Sequence, residues 1–84
     1  MIKIKIYSTA WCHPCSLAKK LLTDNGLEFE EINIEEEGMS RQDLADITGG
    51  MTVPQIVIND INIGGFDKLV AMNQSGELQK IMHS

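Results

Sequence analysis

A chain of 84 residues holds one hydrophobic core and no second folded unit, so a single domain spanning 1–84 is expected. Hydrophobic residues make up 43% of it, too many for a disordered polymer, and a net charge of −5 with Glu35, Glu36 and Glu37 in a row argues against a nucleic-acid partner, because phosphates would be repelled. Met1 to Lys5 alternates apolar and basic residues instead of forming a leader, and no apolar run nears membrane-spanning length, so a cytoplasmic protein with no membrane partner is expected.

Ile2, Ile4 and Ile6 recur with period two, predicting a first strand over 2–7. From Cys15 onward Leu17, Ala18, Leu21 and Leu22 take helical spacing, and Asn25-Gly26 supplies a helix stop. Leu27 to Ile34 alternates again, with a slip across Glu30-Glu31, as a second strand. Ser40 caps a second helix with Asp43 in its first turn, Leu44, Ala45 and Ile47 on its apolar side and Gly49-Gly50 at its end. A crossover of that length with its own helix implies that the first two strands run parallel. Gln55–Asn59 and Ile61–Ile63 flank Asp60 as an antiparallel hairpin. Gly64-Gly65 then opens a last helical region with Leu69, Val70 and Met72 inward, interrupted at Gly76 before Leu78, Ile81 and Met82. The expected fold is α/β: a four-stranded mixed sheet with flanking helices.

Chemistry concentrates in Trp11-Cys12-His13-Pro14-Cys15. A cysteine reacts as its thiolate, and a helix start favours that anion through free N–H groups and the positive end of the dipole. Two cysteines three apart on a first turn come within disulfide reach, which makes Cys12 the attacking thiol and Cys15 the resolving one. Pro14 is tolerated there because a first-turn N–H has no helical acceptor. His13 is either a tuner of the thiolate or an exposed spacer, and Trp11 either a flat contact surface beside the sulfur or a packing residue. A zinc site would use the same pair, but the second half of a tetrahedral shell is missing, so no metal is expected.

Three motifs in order, Tyr7 followed by the cysteine pair, then Thr52-Val53-Pro54-Gln55, then Gly64-Gly65-Phe66-Asp67, resemble those of glutaredoxins, within the thioredoxin-like fold, over essentially the whole chain. The resemblance implies a dithiol thiol–disulfide oxidoreductase that reduces protein disulfides or glutathione mixed disulfides, with glutathione as electron donor and no permanently bound cofactor. It implies catalytic Cys12 and Cys15, with Tyr7, Trp11, His13 and Pro14 tuning the thiolate or touching substrate. Pro54 would be a cis proline facing the cysteines, and Val53 would pair by its backbone with the cysteinyl part of glutathione. Thr52, Gly65, Phe66 and Asp67 would complete the glutathione site, Asp67 holding its ammonium group.

The chain also departs from the family. His13-Pro14 stands where many members have Pro-Tyr, and Trp11 with Pro14 looks like the corresponding stretch of thioredoxins. Thr9 occupies the position of a common lysine, and Ile47, Gly50 and Met51 stand where basic residues are frequent. Two alternatives follow: electrons supplied by thioredoxin reductase instead of the glutathione reductase system, or an iron–sulfur cluster shared by two subunits with glutathione. Cys15 disfavours the second, because it offers Cys12 an internal disulfide.

Overall fold

Residues 3–82 are described by a computed structural model; Ile2 of the first expected strand and His83 lie outside them. The elements run β1 (Ile4–Ser8), α1 (His13–Asp24), β2 (Glu30–Asn33), α2 (Arg41–Thr48), β3 (Gln55–Ile58), β4 (Ile61–Gly64), α3 (Phe66–Ser75) and α4 (Glu77–Met82). The sheet order is β2-β1-β3-β4, with β1 and β2 parallel and the other neighbours antiparallel. This is the expected mixed sheet. Among the described residues no helix is long and apolar enough to cross a membrane.

Side-chain alternation divides the core between the two sheet faces. Ile4 and Ile6 of β1 and Ile56 and Ile58 of β3 pack with Ala18, Leu22, Leu69 and Leu78 under α1, α3 and α4. The other face carries a smaller cluster, Tyr7, Ile34, Leu44 and Val57, under α2. The slip at Glu30-Glu31 is a change of face: Leu27 and Phe29 serve the first cluster, Ile32 and Ile34 the second. β2 is accordingly shorter than the expected strand.

Ser40 closes a capping box on α2, its Oγ accepting from the Asp43 N–H at 3.1 Å and its own N–H donating to Asp43 Oδ2 at 3.0 Å. Ile47 does not face the core as its spacing suggested; it is 50% exposed, and Thr48 is buried in its place. The Thr48 hydroxyl donates to the Leu44 carbonyl at 2.8 Å, which lets a polar residue hold the inward position. The hairpin turns on Asn59 and Asp60, both at positive φ, as a tight two-residue connection requires. Gly64 belongs to the end of β4, so the last helices begin from Gly65 as cap.

Candidate active site

The chain leaves β1 at Ser8 and reaches α1 through a short turn in which the Cys12 N–H donates to the Thr9 carbonyl at 3.4 Å. Cys12 is the cap of α1, with extended backbone, and its Sγ accepts from the Cys15 N–H at 3.1 Å. The sulfur thus occupies the position where a serine or aspartate oxygen ordinarily satisfies a free helix N–H. That hydrogen bond and the positive end of a 12-residue helix both favour negative charge on Cys12. Cys12 and Cys15 are joined in a disulfide with Cα atoms 5.2 Å apart. Cys12 retains 7% exposure and Cys15 1%, because Cys15 continues the inward face of Ala18 and Leu22. A reagent from outside therefore meets Cys12 first.

The facing wall comes from residues some forty positions later. The Val53–Pro54 peptide bond is cis, and the Val53 carbonyl oxygen lies 3.7 Å from Cys12 Sγ. The loop before it is braced: Gln55 Nε2 donates to the Thr52 carbonyl at 2.9 Å, and Arg41 Nη1 donates to the Met51 carbonyl at 3.2 Å. A Cβ on Gly50 would stand 2.5 Å from Gln55 Nε2, so a larger residue there would push the Gln55 amide from its place beside Thr52. Beyond Pro54 the start of α3 comes close, with a Cβ on Gly65 placed 3.5 Å from the Pro54 carbonyl oxygen. Gly65 offers α3 no side-chain cap, so the first N–H groups of this helix have no such acceptor.

Two connected grooves result. One, of about 410 Å³, is lined by Trp11, Cys12, His13, Pro14, Arg41, Met51, Thr52 and Val53. The other, of about 440 Å³, runs over Pro14, Leu17, Thr52, Val53, Pro54, Gly65, Phe66, Asp67 and Lys68. They share Pro14, Thr52 and Val53. All the residues nominated from sequence meet here except two: Cys15 sits behind Cys12, and Tyr7 is buried in the cluster under α2, where Val53 packs against it. Tyr7 therefore lines neither groove and belongs to the cluster against which Val53 packs. Trp11 is 68% exposed and is not a packing residue of the core. Thr9 is buried, and its hydroxyl has no hydrogen-bond partner among the described residues.

Sequence reasoning misses Arg41 and reads Glu35 only as part of an acidic run. Arg41 brings a cation to the groove although Thr9, Ile47, Gly50 and Met51 supply none. Glu35 accepts a hydrogen bond from the Trp11 indole N–H at 3.1 Å. Arg41 directly follows the helix cap Ser40, a local sign of a helix start; nothing local indicates which loop that start faces.

The family model for glutaredoxin matches residues 4–63. The chain is 40% identical over 82 residues to a glutaredoxin of Pseudomonas aeruginosa, covering 98% of each. It is 35% identical over 82 residues to glutaredoxin 3 of Escherichia coli, covering 98% of this chain and 99% of the other. Among solved structures it superposes on the buckwheat glutaredoxin–glutathione complex with a TM-score of 0.84 at 27% identity, over 93% of this chain and 74% of the other.

Proposed function

The chain belongs to the glutaredoxin family and is a thiol–disulfide oxidoreductase of that type, and from this premise we propose that it reduces protein disulfides and glutathione mixed disulfides at Cys12, with Cys15 resolving and glutathione supplying the electrons. The observation that carries the reading is the Cys12–Cys15 disulfide at the cap of α1, opening onto a groove between the Val53 backbone and the start of α3.

In the reduced protein the Cys12 thiolate attacks one sulfur of a substrate disulfide. A bond forms from Cys12 to that sulfur, and the other substrate sulfur leaves as thiolate. Cys15 gives up its proton, attacks Cys12 Sγ and expels the second substrate thiolate, so two electrons have passed to the substrate and the protein holds the disulfide. One glutathione thiolate then attacks Cys12 Sγ, freeing Cys15. A second attacks the glutathione sulfur of that mixed disulfide, releasing glutathione disulfide and the Cys12 thiolate. Of the two protein sulfurs it is Cys12 that exchanges with substrate and glutathione, because Cys15 is buried behind it.

Glutathione carries two carboxylates and an ammonium group, and the grooves offer a counterpart for each. The uncapped N–H groups of α3 suit the γ-glutamyl carboxylate, and Asp67 in the first turn suits its ammonium. The Val53 backbone suits strand-like pairing with the cysteinyl unit, between Thr52 and Phe66. Arg41 suits the glycine carboxylate. The buckwheat glutaredoxin, a structural relative, is solved as a glutathione complex. A compartment that keeps glutathione reduced, such as the cytoplasm, is where the cycle runs in this direction.

The test is NADPH consumption with a mixed-disulfide substrate, run with glutathione plus glutathione reductase and, separately, with thioredoxin reductase alone. Turnover with glutathione is expected. Turnover with thioredoxin reductase and none with glutathione would mean that electrons come from that reductase, and would remove glutathione from the scheme.

A further inference from the structure

Trp11 presents an indole with 68% of its surface exposed directly before the reactive cysteine. Its ring N–H is held by Glu35 Oε1 at 3.1 Å, so the ring is fixed and a carboxylate stands at its edge. Glu35, Glu36 and Glu37 are consecutive and exposed, and none of them forms an ion pair among the described residues. An aromatic face next to a carboxylate without an ion pair attracts a cationic side chain twice, through the ring quadrupole and through charge. Arg41, the one arginine or lysine lining the Cys12 groove, gives one of its N–H groups to the Met51 carbonyl at 3.2 Å. The surface is continuous with the sulfur that reacts, so whatever it holds is positioned for exchange.

We propose that Trp11 and Glu35 form a cation-selecting subsite, and that the preferred protein substrates carry lysine or arginine beside the disulfide cysteine that Cys12 attacks. The inference rests on the dithiol reading above and names the substrate class for the same site. The side chain lays its ammonium or guanidinium over the indole and against the Glu35 carboxylate while Cys12 forms the mixed disulfide. Cys15 then displaces the peptide sulfur, leaving peptide dithiol and the Cys12–Cys15 disulfide.

The experiment uses the full chain, reduced beforehand, and two synthetic peptides closed by an internal disulfide, one with lysine and one with glutamate on both sides of each cysteine. Single-turnover rates are divided by the rates at which dithiothreitol reduces the same peptides, which removes their intrinsic reactivity. The lysine peptide is expected to react about three- to tenfold faster at low salt, the ratio falling toward one at high salt. It should also fall in Glu35→Gln and in Trp11→Leu. Because only the ratio between peptides within one variant is read, a general loss of folding cancels. Equal normalised rates in the wild type, or a ratio that survives Glu35→Gln, would overturn the subsite and leave the redox reading standing. Failure to reduce either peptide would overturn the dithiol reading itself.

Discussion

Two helix starts face each other across the groove and solve the same electrostatic problem in opposite ways. α1 is capped by the sulfur of Cys12, which takes the Cys15 N–H for itself. α3 begins at Gly65 with no side-chain cap. The first spends its dipole on the reacting atom; the second leaves its N–H groups for a ligand. Substitutions at α1 should therefore change whether and how exchange occurs, and those at α3 how well glutathione is held.

The largest effect lies at α1. Cys12→Ser should abolish all turnover, whereas Cys15→Ser should keep reduction of glutathione mixed disulfides and lose reduction of two-cysteine substrates, as measured by coupled NADPH consumption. Equal losses in the two variants would break the attacker and resolver assignment. At α3, Asp67→Asn should raise the KM for glutathione about five- to tenfold and keep kcat, since an exposed charged contact contributes only modestly. A fall in kcat with KM unchanged would show that the α3 start acts on the chemistry.

α2 sharpens the comparison because its start is capped by Ser40 and Asp43 alone. Ser40→Ala should cost about 1 kcal/mol and lower the melting temperature by roughly 4–8 °C, with activity per folded molecule retained.

The smallest effect concerns how α1 is tied to the sheet edge. Lys19 Nζ at 2.7 Å and the Ser8 hydroxyl at 2.8 Å, Lys19 foremost, hold the Glu31 carboxyl below its ordinary value of 4.5. A carboxyl lowered in the folded state adds stability above its unfolded value, and that contribution disappears as pH falls through the folded one. Urea unfolding of Glu31→Gln should show less than about 1 kcal/mol of loss near neutral pH, shrinking toward zero in acid.

What the chain determined by itself is whatever depends on neighbours a few residues away. The Ser40 cap with Asp43, the turn before Ile61 and the pairing of Cys12 with Cys15 across one helical turn are of this kind, since backbone periodicity and hydrogen bonds to the next turn are set locally. The motifs from 52 to 55 and from 64 to 67 could be tied to the cysteines only through a family resemblance. Their approach is a matter of sheet order: β1 and β3 are neighbours, so the ends of both deliver Cys12 and Val53, 41 residues apart, to one place. The same long-range packing decided that Ile47 faces solvent, that Tyr7 is buried under α2 away from the groove, that Arg41 comes to the groove and that Glu35 meets Trp11. Helical and strand periods say which face of an element is apolar; only the packed sheet decides which distant side chains that face brings together.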